Sequence, residues 1–202
     1  MAGDRYLTLE KESTGLYREK ASRFIAFAFP IADEEAFTAR CTAIAREHHA
    51  SRHVCYAWVL GDNGDRTRAN DAGEPVGTAG RPILRRLQGA GLTYAAIVVV
   101  RYFGGTLLGK AGLVHAYAEA ASDALDAAQV ITHVVRSPVR ARCTYAQVEA
   151  FKNDIARSEG VLLSAEYAEQ CDVVAALPRD TVASFIARWR IAGIDVVIDQ
   201  GK

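Results

Sequence analysis

Along the first two-thirds of the chain the hydrophobic positions switch between a period of two and a period near 3.6, the mark of strands interleaved with helices. Residues 6–9 alternate weakly, and residues 15–29 read as two extended segments broken near Lys20. In the second segment Phe24, Ala26 and Ala28 point one way and Ile25, Phe27 and Phe29 the other. Both sets are apolar, so this strand is expected to be covered on both sides. Residues 33–49 predict a helix: Asp33, Glu34 and Glu35 crowd its start, where the dipole favours acids, and Phe37, Cys41, Ile44 and His48 recur on one face. A strand over residues 53–60 runs into Asp62-Asn63-Gly64-Asp65, where Asn-Gly predicts the positive φ angles of a tight hairpin. Residues 78–88 predict a second helix, with Thr78 as its cap, Pro82 in its first turn and Ile83, Leu84 and Leu87 as its apolar face. Residues 95–100 are an unbroken apolar run, long enough for a strand buried on both faces and too short to cross a membrane. An alanine-rich helix follows over residues 110–128.

Near Val130 the pattern restarts. A strand over residues 135–143 contains Pro138, which sits badly in a sheet interior. Thr144 with Gln147 makes a capping box, and Val148, Phe151 and Ile155 share a helix face up to Gly160. Two strands, over residues 161–167 and 170–177, precede a helix with Val182, Phe185 and Trp189 inward and a last strand with Ile194, Val196 and Ile198 alternating. The order is βαββαβ, that of a ferredoxin-like domain. The chain is therefore predicted to be α+β in two domains, residues 1–131 and residues 132–202.

Composition narrows the class. Lys plus Arg and Asp plus Glu each number 24, so no global charge draws the chain to nucleic acid or membrane. Between Arg66 and Lys110, however, seven basic residues face two acids. Cys41, Cys55, Cys143 and Cys171 stand singly with no CxxC, as expected of reduced thiols in a cytoplasmic protein. The N-terminus is polar and has no apolar core of signal-peptide length, so neither export nor membrane insertion is expected.

The candidate chemistry lies between Arg66 and Tyr117. Asp71-Ala72-Gly73-Glu74-Pro75-Val76-Gly77-Thr78-Ala79-Gly80-Arg81-Pro82 predicts a shaped loop, and Arg101-Tyr102-Phe103-Gly104-Gly105 leads from the apolar strand into a second one. Residues 104–111 nearly satisfy the phosphate-loop pattern G-x-x-x-x-G-K-[ST], but Ala111 lacks the hydroxyl that contacts magnesium. Glycines needed for a sharp strand-to-helix connection explain the run better, with Leu107-Leu108 tucked against the core. What survives is anion binding by backbone amides at both helix starts, near Arg81, Arg101 and Lys110. His48, His49, His53 and Cys55 form no complete ligand set, so neither metal nor cofactor is expected. On the first strand of the second domain Arg136, Arg140 and Arg142 share one face, where Glu166 and Asp172 on adjacent strands can neutralise them.

Glu74-Pro75-Val76-Gly77-Thr78-Ala79-Gly80, Arg101-Tyr102-Phe103-Gly104-Gly105 and Leu108-Gly109 resemble the signature of the IMPACT family. Lys20-Ala21-Ser22-Arg23-Phe24-Ile25-Ala26 and His53-Val54-Cys55-Tyr56-Ala57 resemble the same pattern in the same order. The chain departs from it at Ala72, where the family usually has a second Asp, at Ala111, usually Gly, and at His115, usually Arg. The resemblance implies an N-terminal domain with the fold of a ribosomal-protein second domain, also found in elongation factor G, before the ferredoxin-like one. It also implies a non-enzymatic protein of translation, since eukaryotic relatives regulate initiation by competing for an activator of a stress kinase. RNA, the ribosome or a regulatory protein would be the partner, with no membrane involved. The binding surface would comprise Arg66, Arg68, Arg81, Arg85, Arg101 and Lys110, with Gly77, Thr78, Gly80, Gly104 and Gly105 shaping the loops. The alternative is a small-molecule hydrolase using His53, Asp71 and Glu74 as acid–base groups.

Overall fold

The computed structural model describes residues 4–199; the first three residues of the polar N-terminus lie outside them. The element order is β1 (Arg5–Leu9), β2 (Ser13–Glu19), β3 (Ser22–Pro30), α1 (Glu34–Glu47), β4 (His53–Leu60), β5 (Arg66–Asn70), α2 (Gly80–Gly89), β6 (Ala95–Tyr102) and α3 (Gly109–Asp126). Then follow β7 (Val130–Val134), β8 (Arg136–Cys143), α4 (Tyr145–Arg157), β9 (Val161–Tyr167), β10 (Cys171–Pro178), α5 (Val182–Ile191) and β11 (Val196–Ile198). The chain is α+β and forms two compact units, Tyr6–His133 and a second made of Val134 onward with the residues before Tyr6. Among the described residues no helix is long and apolar enough to cross a membrane.

The larger unit is built on a five-stranded sheet in the order β2-β3-β6-β4-β5. Its middle strand, β6, is antiparallel to both β3 and β4, and every residue from Ala95 to Arg101 is buried. The apolar run has no polar face because both sides of it are covered. Ala95, Ile97 and Val99 pack with α2 and α3 in one core, while Ala96, Val98 and Val100 pack with Phe37 and Ile44 of α1 in another. The split of β3 follows the same rule: Phe24, Ala26 and Ala28 enter the first core, Phe27 and Phe29 the second. Each Val or Ile so buried contributes on the order of 1.5–3 kcal/mol. The sheet is thereby fixed, and with it the ends of its strands. Gly15 of β2 is pressed so close to α3 that a Cβ there would come within 2.3 Å of the Ala124 amide nitrogen.

Local chemistry departs from the sequence expectation at three places. The β4–β5 turn takes its positive φ at Gly61 and Gly64, not at Asn63, and Gly64 donates its N–H to the Gly61 carbonyl. The Asn-Gly pair therefore sits in a longer, glycine-hinged loop. Thr78 does not cap α2; its hydroxyl donates to the Pro75 carbonyl and the helix begins two residues later. Residues 130–134 form a strand, β7, paired with β1.

The second unit carries a four-stranded sheet in the order β11-β8-β10-β9, all neighbours antiparallel, with the βαββαβ succession. Pro138 is tolerated in an inner strand because its carbonyl turns to the β11 side, where it accepts the Asp199 N–H. The missing proline N–H lies on that same side, beyond the end of the three-residue β11, so no bond to β10 is lost. Phe151, Phe185 and Trp189 pack edge to face beneath the sheet. Buried Asp154 accepts hydrogen bonds from Trp189 Nε1, Arg188 and Arg157. Its own burial pushes the carboxyl pKa up, but these three donors outweigh that and hold it below the usual range.

Candidate functional site: a cleft at the start of α3

Register places one row of side chains across the end of the large sheet. Arg101 on β6 stands opposite Phe24 on β3 and opposite His53 on β4. All three continue the face that α2 and α3 cover. Arg101 is only 6% exposed, and its guanidinium lies 5.5 Å from the ring centres of both Phe24 and Phe103. A cation so placed needs a counter-charge, and Glu74, 8% exposed, supplies it. Arg101 Nη1 donates to Glu74 Oε1 at 2.7 Å, and the Tyr117 hydroxyl of α3 donates to the same oxygen at 2.8 Å. Cys55 Sγ lies 3.3 Å from that hydroxyl and 3.1 Å from the Asp71 carbonyl. The pair thus ties together the first glycine loop, the central strand and α3.

Glu74 can reach inward because the loop holding it is closed on itself by Asp71. The Asp71 carboxylate accepts the backbone N–H groups of Gly77, Ala79 and Gly80 at 2.8–3.0 Å. It therefore caps α2 from outside the helix, in place of Thr78. Burial raises its pKa, but the three amides and nearby Arg81 outweigh burial and leave it lowered. Gly80 is required by crowding, since a Cβ there would lie 2.6 Å from the Asn70 nitrogen. Ala72 adopts a φ of 44°, a left-handed conformation that suits Asn or Asp better than Ala.

The second glycine loop leaves its helix open. Gly104 donates its N–H to Ser22 Oγ and sits where a Cβ would strike the Ala21 backbone at 2.1 Å. The α3 N-terminus has apolar Leu108 at its cap position, and among the described residues no side chain is bonded to its first amides. Of the two helix starts expected to bind anions, α2 is filled by Asp71 and α3 is free of such a cap. A cavity of about 460 Å³ opens there, lined by Arg52, His53, Glu74, Arg101, Phe103 and Lys110, with Pro75, Leu107, Leu108, Gly109 and Leu113 completing the wall. Three permanent cations face one carboxylate in that lining.

The predicted residues are thus sorted. His53, Glu74, Arg101 and Lys110 meet in the cleft. Gly77, Thr78 and Gly80 belong to the Asp71-braced loop, and exposed Arg81 and Arg85 lie on α2. Arg66 and Arg68 do not join them. They pair with Leu60 and Trp58, whose side chains belong to the core under α1, on the opposite sheet face, and Arg66 bonds Glu34 of α1. The six basic residues therefore form no single surface, because strand alternation and the two-sided core send them to different faces. Gly105 has positive φ and is exposed, and Leu107, expected to tuck inward, is 82% exposed at the cleft. In the second unit Arg140 lies 3.5 Å from both Asp172 and Asp199, Arg142 lies 3.6 Å from Asp172, and Arg136 Nε donates to the Glu159 carbonyl.

His53, Asp71 and Glu74 do not form a proton relay. His53 Nδ1 is 2.8 Å from the Ala72 carbonyl, so that nitrogen carries the proton, and neither carboxylate bonds the imidazole. Burial pushes the Cys55 thiol up to about 12, which removes it as a nucleophile. His48 Nδ1 is engaged with the Tyr102 hydroxyl, and among the described residues no three His, Cys, Asp or Glu side chains gather as a metal site. Arg52 and Phe103 are cleft residues that carried no role in the sequence reading. The signal for both was adjacency, Arg52 beside His53 and Phe103 two positions after Arg101.

The Impact N-terminal domain model matches residues 20–125. IMPACT family member YigZ of Escherichia coli K12 is 35% identical over 171 residues, 84% of each chain. An IMPACT family member of Haemophilus influenzae is 34% identical over 82% of each, and member YvyE of Bacillus subtilis 31% over 85% of this chain and 74% of its own. A crystal structure described as that of a hypothetical protein superposes with a TM-score of 0.70 at 30% identity, covering 98% of this chain and 99% of its own.

Replacing Asp71 by Ala leaves three amides without their acceptor and is expected to cost about 2 kcal/mol in denaturant unfolding. Because the folded pKa of Asp71 is depressed, its contribution is present above the unfolded value of roughly 3.9 and is lost as pH falls through the folded value. The stability gap between the wild type and Asp71→Asn should therefore shrink in that acid window and hold steady above it. Glu74→Ala strands Arg101 in the interior and should cost about 3–5 kcal/mol, and Glu74→Gln, whose oxygen can still accept both donors but carries no charge, should recover only part of that loss. A Glu74→Gln variant as stable as the wild type would contradict the ion-pair account.

Proposed function

The chain belongs to the IMPACT family, and on that premise we propose that it is a translation-linked binding protein that grips RNA through the α3 cleft without transforming it. The observation that carries the reading is the pairing of an uncapped helix start with Arg52, Arg101 and Lys110 in one cavity. Helix N-termini offer several amide donors and a favourable potential to a phosphate. Phe103, 46% exposed beside Arg101, adds a flat surface on which an unpaired base can stack. The two carboxylates that a hydrolase would need are spent on Arg101, Tyr117 and backbone amides, which favours holding over turnover.

The split of the basic residues sets the scale of the contact. One cleft engages about two phosphates, for which the slope of log K against log salt is about −1.4 on a single strand, whereas a six-residue basic surface would give about −4. Fluorescence anisotropy with single-stranded RNA across a salt series should return the shallow slope. Lys110→Ala should weaken binding several-fold and flatten the slope by about 0.7, while Arg68→Ala leaves both unchanged. Undetectable binding at low salt, or a steep slope that depends on Arg68, would overturn the reading.

A further inference from the structure

Resting on that reading, we infer that the cleft recognises a terminal phosphate monoester with its nucleoside, at an RNA end or on a free nucleotide, and not an internal phosphodiester. Charge is the first reason. Arg52, Arg101 and Lys110 against Glu74 leave a net charge of two positive units in the lining. A monoester carries about −1.5 to −2 at neutral pH and a diester only −1, so one terminal dianion matches by itself the charge that would otherwise take two internal linkages.

Arg101 is the second reason. It is more than nine-tenths buried, lines the cavity, and spends Nη1 on Glu74 while its Nε has no hydrogen-bond partner. Such an unsatisfied donor in a guanidinium fixed between two rings is costly unless the site has a use for it. The adjoining start of α3, where Gly109 and Lys110 line the cavity without a side-chain cap, presents further amides that suit the several free oxygens of a monoester. The apolar lining is the third reason. Phe103 and Leu107 are exposed at a cationic cavity that a bare inorganic anion would not use, and a base with its ribose would cover them.

The test is competition against a single-stranded RNA bearing a 5′-phosphate and a 3′ dye, bound to the full chain. Competitors are the same strand with 5′-hydroxyl, the strand with 3′-phosphate only, uridine 5′-monophosphate and inorganic phosphate. A phosphate-ended strand should compete at least about tenfold better than the hydroxyl-ended one, and the nucleotide at least about tenfold better than inorganic phosphate. Lys110→Ala and Arg52→Ala, both at exposed positions, should cut the first preference to about threefold or less, and Phe103→Ala the second, with melting temperatures confirming the fold. Preference for the 3′-phosphate over the 5′-phosphate supports the inference and assigns the end. Equal competition by hydroxyl-ended and phosphate-ended strands overturns it while RNA binding stands. Uridine monophosphate binding that depends on Lys110, with no RNA bound, supports the cleft chemistry and overturns the RNA reading. No binding by any probe overturns both.

Discussion

A buried ion pair, Glu74 to Arg101, is the constraint on which the larger unit depends. Two charges withdrawn from water are stabilising only when geometry and extra hydrogen bonds offset desolvation. Here one carboxylate oxygen takes both Arg101 and Tyr117, and two aromatic rings flank the guanidinium. The partners come from three elements, so the pair works as a pin. It fixes where the first glycine loop lies over the sheet and how α3 leaves the second. The same pin leaves Arg101 Nε without a hydrogen-bond partner among the described residues, in a side chain that lines the cavity.

The two glycine loops, alike in sequence, end differently. The first is saturated internally: Asp71 takes the amides that would otherwise attract an anion, and Thr78 folds back on Pro75. The second has no acid to play that part, and its helix begins with Gly109 and Lys110 at the cavity. The second unit balances its own charge, since Asp172 and Asp199 meet the arginines of β8. In a chain of zero formal net charge, the cleft lining still sets three cations against one carboxylate.

Much of this was legible in the sequence. The two-sided strands β3 and β6 follow from apolar residues at consecutive positions, and the βαββαβ order from period alone. The convergence of His53, Glu74 and Arg101 was foreshadowed by motif proximity. What could not be read was long-range. That Asp71 caps α2 depends on a loop closing over residues 71–80, and that Arg66 and Arg68 leave the site depends on which core Trp58 and Leu60 join. The dipeptide Asn63-Gly64 marks the turn and Gly64 takes the positive φ expected of it, but the second such position is Gly61, three residues earlier, and not Asn63. Arg52 and Phe103 flank His53 and Arg101 along the chain, but that they line one cavity follows from the pairing of His53 with Arg101 across β4 and β6.

The central claim is that the start of α3, held by the Glu74–Arg101 pin, is the open anion site and the start of α2 is not. Amide NMR during titration with uridine 5′-monophosphate addresses it residue by residue. The account predicts saturable shifts at Gly109, Lys110 and Ala111, with Ala79 and Gly80 unmoved. Shifts at Ala79 and Gly80, or none at the three α3 amides, would contradict it.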